Sequence, residues 1–356
     1  MTKQTLRRWW FQAHKWIGLL LAILIVPISL TGAALVWDEA IDRWINPGRY
    51  AVSGNGLVAA DAYVTMARAA LVPGERIASL TLPDANGPVL VTAGRPGGPA
   101  RGGPPQRTTL YLDPPTGKLL ARSDGSGLMR TFHMLHGSLM LPGVGRSIVG
   151  WIGVAMLISC LSGLWLWWPS VGRWTRGLRW RRQPNVDANL HHLFGFWIAL
   201  PLAVLSLTGA WISFPQVFGI WDGPRQARPP RAQPVEAATL DAQTVIARAQ
   251  ALKAAPVRQI SWPTDRSPDW SVTLAGGARV SVPDSGGPAA LRPAEKETLT
   301  RLMRRLHDGT GMGIVWQVIL FIAGLIPALL SVTGIIMWWR ARRWRAELAA
   351  KQALAS

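Results

Sequence analysis

Long apolar runs alternate with long polar stretches along this chain. Four runs of about twenty mainly apolar residues fall at 9–37, 147–168, 190–214 and 314–339. At about 1.5 Å per residue, each is long enough as a helix to cross a hydrocarbon core about 30 Å thick. The first run is longer than the apolar core of a secretory leader, and Ala-Leu-Val-Trp-Asp at its end is a poor cleavage site, so it is expected to be retained as a span. The polar stretches, 38–145 and 222–308, show shorter periods. Residues 59–71 and 240–252 place apolar side chains three and four apart, as amphipathic helices do. Strand-like runs follow at 77–82, 89–92 and 109–112, and again at 259–262, 270–274 and 280–282. Asp113-Pro114-Pro115-Thr116-Gly117 signals a turn, with a fainter echo in Pro283-Asp284-Ser285-Gly286-Gly287. Residues 94–107, rich in Gly and Pro, have little to bury and are expected to form a mobile loop.

The pattern occurs twice. With His14 set on His191, Gly18 meets Gly195, and Ser29-Leu30-Thr31-Gly32-Ala33 meets Ser206-Leu207-Thr208-Gly209-Ala210 without a gap. With Leu135-His136 set on Leu306-His307, Ser162-Gly163 meets Thr333-Gly334, and Trp167-Trp168 meets Trp338-Trp339. The repeating unit is helix, polar module, helix. Two copies in the same orientation imply a pseudo-twofold axis along the membrane normal. The expected fold is therefore an α-helical membrane protein. A four-helix transmembrane bundle from a duplicated unit would carry two small α+β modules on one side. The expected partition is 1–37 (N-terminus and first span), 38–145 (first module), 146–168 (second span), 169–189 (basic loop), 190–221 (third span), 222–308 (second module), 309–339 (fourth span) and 340–356 (basic tail).

Charge orients this arrangement. Only 16% of the 356 residues are charged, against about 25% in an average soluble domain, which argues against a plain cytosolic enzyme. The N-terminus, the loop 169–190 and the tail after 340 hold 14 Lys and Arg against two acids, so 12 of the 19 net positive charges lie on the side of the short connections. The positive-inside rule makes that side cytoplasmic and the two modules external, periplasmic if the cell is Gram-negative. The net charge of +19 is then read as a topology signal with affinity for anionic lipid, not as a nucleic-acid footprint. Many of the 20 Trp flank the spans as an interfacial belt. The single cysteine, Cys160, excludes an intrachain disulfide and a Cys-bound iron–sulfur cluster.

All six histidines lie at or beside span ends. An ionisable group at membrane depth is costly and marks a candidate site. His14 and His191 begin outward-running helices, near the cytoplasmic face. His136 and His307 precede inward-running helices, near the outer face. Each pair occupies equivalent repeat positions and can meet across the pseudo-twofold axis, and two facing imidazoles are what a six-coordinate haem iron needs. Each span also carries a Ser/Thr–Gly pair, so Gly163 and Gly334 lie near the level of His14 and His191, and Gly32 and Gly209 near that of His136 and His307. Such glycines allow close helix packing or admit a porphyrin. His133 aligns with Arg304 and His192 with Lys15, so these two are secondary candidates. Arg130, Arg146, Arg304 and Arg305 stand near the outer pair, as propionate partners or interfacial anchors.

Several of these motifs resemble one family. His14-Lys15-Trp16-Ile17-Gly18 followed by Ser-Leu-Thr-Gly, Leu135-His136-Gly137-Ser138-Leu139 with Gly145-Arg146, Gly163-Leu164-Trp165-Leu166-Trp167-Trp168-Pro169, and Tyr111-Leu112-Asp113-Pro114-Pro115-Thr116-Gly117 are similar to the PepSY-associated transmembrane family. The resemblance covers nearly the whole chain, although the second module lacks a clean copy of the Asp-Pro-x-Thr-Gly turn. The family is functionally mixed and includes haem-containing inner-membrane siderophore reductases. That subgroup implies two b-type haems in the bundle, with His14, His136, His191 and His307 at the matching positions, and reduction of a ferric siderophore or similar ferric chelate in the periplasm. No Gly-x-Gly-x-x-Gly fingerprint follows a strand, so the electron donor, cytoplasmic or quinol, would be a separate molecule. Two other readings remain open. One is a non-redox, membrane-anchored binding or regulatory protein. The other is a copper handler built on Met129, His133, Met134, His136 and Met140. A transporter ranks lower, since no span buries an acidic residue.

Overall fold

The computed structural model describes residues 2–83, 86–94, 107–168, 174–178, 183–222, 232–293 and 297–355. Most of the Gly/Pro-rich stretch 94–107 and Arg173, Arg179, Arg181 and Arg182 of the basic loop lie outside the described residues. In chain order the helices are α1 (Lys3–Leu35), α2 (Asp38–Ile45), α3 (Ala60–Ala70), α4 (Leu128–Ser138), α5 (Gly145–Trp167), α6 (Val186–Ser213), α7 (Pro215–Phe218), α8 (Ala242–Leu252), α9 (Leu299–Asp308) and α10 (Ile314–Ala355). The strands are β1 (Arg76–Thr81), β2 (Val89–Gly94), β3 (Thr108–Leu112), β4 (Leu119–Ser123), β5 (Val257–Ser261), β6 (Asp269–Leu274), β7 (Arg279–Pro283) and β8 (Ala290–Arg292). They sort into two units: one of residues 1–38, 131–224 and 297–356, the other of 39–130 and 225–296.

The first unit is helical. Among the described residues α1, α5, α6 and α10 are long and apolar enough to cross a membrane, and they coincide with the four apolar runs. Glycines set how closely these helices approach. A Cβ on Gly153 of α5 would stand 3.0 Å from the Ser206 carbonyl oxygen and 3.4 Å from the Ala210 Cβ of α6. One on Gly324 of α10 would stand 2.8 Å from the Ala33 Cβ of α1. Backbones meet this closely only where one side has no side chain. The helix α10 continues well past 339, where the apolar run stops. Arg340, on this extension, clamps Asp187 in the first turn of α6 through two bonds of 2.6 and 2.7 Å.

The second unit is one eight-stranded antiparallel sheet with the order β4-β3-β2-β1-β5-β6-β7-β8. The two modules suggested by the sequence are thus halves of a single sheet, joined where Leu80 of β1 faces Ile260 of β5. Pairing these strands covers what would otherwise be two exposed edges. One face carries the core. Leu80, Val89, Val91, Leu110 and Leu112 from one half and Ile260, Trp270, Val272, Leu274 and Val280 from the other are buried beneath Tyr63 and Ala67 of α3 and Val245 and Ala249 of α8. The two helices cap each other. The Asp61 carboxylate accepts from the Ala242 and Gln243 amides at 2.9 and 3.3 Å, and the Gln243 side-chain oxygen accepts from the Ala60 amide at 3.0 Å. Each satisfies N–H groups that a helix start leaves open.

Two turns tie the sheet to the segments that precede its helices. Asp113 accepts from the Ser53 amide (2.7 Å), the Ser53 hydroxyl (2.7 Å) and the Thr116 hydroxyl (2.6 Å). Asp284 accepts from the Thr239 amide (2.8 Å), the Leu240 amide (3.0 Å) and the Trp270 indole (2.7 Å). Gly117 closes the first turn at φ +69°, where a side chain would be strained. Residues 131–138 and 299–308, placed at the ends of the modules by their polarity, cluster with the helical unit instead. Their histidines account for this.

Candidate haem-ligating histidine pairs

His14 projects from α1 and His191 from α6, each about a turn and a half or more inside its helix. Their ring centres stand 6.3 Å apart, with the planes at 84°. His136 of α4 and His307 of α9 form a second pair, with ring centres 5.9 Å apart and planes at 43°. Two imidazoles binding one metal from opposite sides, with nitrogen–metal bonds of about 2.0 Å, place their ring centres roughly 6 Å apart.

All four Nδ1 atoms are engaged. The His14 Nδ1 lies 3.1 Å from both the Ser159 carbonyl and the Ser162 hydroxyl, and the His136 Nδ1 lies 2.8 Å from the Ile28 carbonyl. The His191 and His307 Nδ1 atoms each lie 3.0 Å from a threonine hydroxyl, Thr333 and Thr208 respectively. A carbonyl oxygen only accepts, so in His14 and His136 the proton is on Nδ1 and Nε2 presents a lone pair. Burial lowers the pKa of His136, and burial together with the neighbouring His136 takes His307 down to about 4, which favours the neutral form of both rings. Neutral imidazole is the form that binds a metal.

The glycines explain how the rings fit. A Cβ on Gly32 would stand 2.6 Å from the His136 Cε1, and one on Gly163 3.1 Å from that of His14. The corresponding distances are 3.1 Å from Gly209 to His307 and 3.5 Å from Gly334 to His191. Each Ser/Thr–Gly pair therefore acts on one histidine, the glycine making room for the ring edge. Space for a flat group lies elsewhere: Gly18 and Gly195, one turn along from His14 and His191, have nothing within 4 Å of where a Cβ would be.

A family model described as the PepSY-associated TM region matches residues 11–341. The chain belongs to the PepSY-associated TM family. It is a multi-pass membrane protein by that membership and by its four apolar helices. The match takes in all four paired histidines. No curated protein matches the chain.

Around the pairs of this PepSY-associated TM protein, the secondary candidates divide. His133 is exposed on α4, and His192 is half-buried beside His191. Arg146 donates to the Ile212 carbonyl. Arg305 is held by Glu297 at 2.5 Å and by the Thr310 carbonyl at 3.3 Å. Arg304 is exposed on α9, and Arg130 falls in the sheet unit. Among the described residues no three His, Cys, Asp or Glu side chains gather as a metal cluster. Each histidine pair thus offers two imidazole nitrogens, and any metal held there would need a group that brings its own further donors. Sequence reasoning missed the hydroxyls of Ser162, Thr208 and Thr333. Their signal was in plain view beside each glycine, but only the small residue of the pair was given a role.

Proposed function

We propose that this protein carries electrons across the bacterial inner membrane to a ferric siderophore or similar ferric chelate in the periplasm. The observation that carries the reading is the pair of facing histidine rings at each of two levels, with ring spacings of 6.3 and 5.9 Å. His14 and His191 would hold one b-type haem and His136 and His307 another. Bound there, haem supplies a reversible one-electron carrier at each level. His14 and Gly32, which mark the two levels on α1, are 18 residues apart, about 27 Å along the helix. That is close to the thickness of the hydrocarbon core.

The chain's own residues do the holding. The carbonyls and hydroxyls at Nδ1 orient the rings, the glycines seat them, and the apolar helices keep water from the pairs. The two-copy sequence pattern, the mirrored strand order and the equivalent glycine–histidine contacts support a duplicated unit. The excess of Lys and Arg on the short connections supports cytoplasmic termini and a periplasmic sheet unit. The electron donor, cytoplasmic or a membrane quinol, is separate. Adding one electron turns Fe(III), which hard oxygen ligands hold tightly, into Fe(II), which they hold less well, and iron leaves the chelate.

Protein extracted from haem-replete cells should show a Soret band that sharpens and shifts on dithionite reduction, with about two haems per chain. A colourless preparation would overturn the proposal and leave a non-redox anchored binding protein as the reading.

A further inference from the structure

We infer that Thr208 and Thr333 are positioning residues that set the reduction potential of the two sites, whereas Thr31, which occupies the same repeat position as Thr208, plays no such part. The inference rests on the haem reading above and deepens it.

Hydrogen-bond accounting separates the hydroxyls. A hydroxyl has one proton and two lone pairs. The Thr208 hydroxyl donates to main-chain carbonyls of its own helix, 2.8 Å from Val204 and 3.1 Å from Leu205. The Thr333 hydroxyl does the same, 2.9 Å from Leu329 and 3.1 Å from Leu330. With that proton committed, each oxygen can only accept from the histidine Nδ1 at 3.0 Å. Nδ1 then carries the hydrogen, and Nε2 is left with a free lone pair.

The first half of the chain reaches the same tautomer by another route. The Thr31 hydroxyl also donates backward, 2.6 Å from Pro27 and 3.1 Å from Ile28. Yet the His136 Nδ1 passes it by and meets the Ile28 carbonyl at 2.8 Å. His14 has both kinds of partner, the Ser159 carbonyl and the Ser162 hydroxyl. His307 and His191 also have a main-chain partner, the Leu205 and Leu330 carbonyls, but their nearest acceptor is the threonine hydroxyl, so each pair combines one ring whose nearest acceptor is a carbonyl with one whose nearest acceptor is a threonine. Main chain cannot be mutated away, so the threonine is the adjustable member at each level.

An acceptor at Nδ1–H makes the imidazole a stronger donor through Nε2, which favours ferric over ferrous iron. Removing the acceptor should raise the potential. Outer-shell partners of metal ligands typically change metal affinity about 10–100-fold. A tenfold loss of ferric preference corresponds to about 59 mV for a one-electron couple.

The experiment is a spectroelectrochemical titration of the full-length, haem-loaded protein and its variants. Thr208→Val should raise the potential of the outer site and Thr333→Val that of the inner site, each by about tenfold in ferric preference. Thr208→Ser and Thr333→Ser should restore the wild-type values. Thr31→Val should leave both potentials unchanged, with Ser162→Ala giving a small shift, because the Ser159 carbonyl remains. If Thr31→Val and Thr208→Val act alike, or the serine variants fail to rescue, the threonines merely pack and the inference falls while the haem reading stands. If Thr208→Val and Thr333→Val leave both potentials in place, the Leu205 and Leu330 carbonyls suffice, and the inference again falls alone. A colourless wild-type protein would overturn both.

Discussion

The two halves of the chain put the same side chains at the same places along their helices, yet they hold them differently. In the first half, residues 11–168, main-chain carbonyls of Ile28 and Ser159 reach the histidines. In the second, residues 191–341, threonine hydroxyls do. The glycines are also tighter in the first half at both levels, with Gly32 closer to its ring than Gly209 and Gly163 closer than Gly334. The links after the outer histidines differ again. Leu139 and Met140 adopt left-handed backbone (φ 51° and 58°), where the second half uses Gly309, Gly311 and Gly313. Left-handed conformations cost a residue with a Cβ about 1–2 kcal/mol, so the first half carries backbone strain beside His136 that the second avoids. Position along the helix is what the two halves share, and the means of fixing each ring is local.

The largest effect expected from this comparison is loss of a haem by level, not by half. His14→Ala and His191→Ala should each remove the same haem, and His136→Ala and His307→Ala the other, because each ring pair takes one histidine from each half. A double variant within one level should lose no more than either single variant. Haem content and the low-spin spectrum of purified protein read this directly. Should His14→Ala and His136→Ala remove the same haem, ligation runs within a half and the geometry of both pairs is wrong.

The glycines sharpen the comparison with smaller steps. A methyl group at Gly32 must displace the His136 ring, since 2.6 Å is closer than real carbon contacts allow. At Gly334 the 3.5 Å contact with His191 is ordinary packing. Overpacking of the first kind typically costs about 1–3 kcal/mol. Gly32→Ala should therefore lower outer-haem occupancy and thermal stability most, Gly163→Ala and Gly209→Ala less, and Gly334→Ala least. Equal harm from Gly32→Ala and Gly334→Ala would mean that the difference between the halves has no energetic content.

Much of this was legible in the sequence because helical spacing is regular. The gap-free match of residues 14–33 to residues 191–210, at an offset of 177, fixes depth, and depth alone predicts which rings meet. The glycine pairing followed from the same rise per residue. Other features left no periodic trace. The β1–β5 pairing joins segments about 180 residues apart, and nothing in Ser79-Leu80-Thr81 names Gln259-Ile260-Ser261 as its partner. Strands β4 and β8 bury none of their residues fully, so they lack the alternation that marked the others. Whether Nδ1 meets a carbonyl or a hydroxyl depends on ring rotation over a fraction of an ångström, below anything residue spacing encodes.

The smallest expected effect lies in the sheet unit, where each half ties down its turn through one aspartate. The Thr116 hydroxyl, with the amide and hydroxyl of Ser53, holds the Asp113 carboxyl below the usual range. Burial pushes Asp284 upward, but the Leu240 and Thr239 amides and the Trp270 indole outweigh it, and that carboxyl is lowered too. A carboxyl whose folded pKa is depressed binds its proton more readily in the unfolded chain. Its stabilisation is therefore full above the unfolded value, about 3.9 for aspartate, and is lost as pH falls through the folded value. Hydrogen exchange in the full-length protein should thus quicken at the Ser53 amide and at the Thr239 and Leu240 amides as pH falls below about 4, after correction for the intrinsic pH dependence of exchange. Asp113→Asn should abolish that acid response at Ser53 alone, and Asp284→Asn at Thr239 and Leu240 alone. Because the Asp284 carboxylate also anchors the buried Trp270 indole, acid should loosen the second half's core as well as its turn, whereas in the first half the Asp113 carboxylate, among the described residues, hydrogen-bonds Ser53 and Thr116 and no core side chain. If the core strands around Trp270 stay protected while the Thr239 and Leu240 amides open, the two turns are equivalent after all, and the halves differ only in how they hold their histidines.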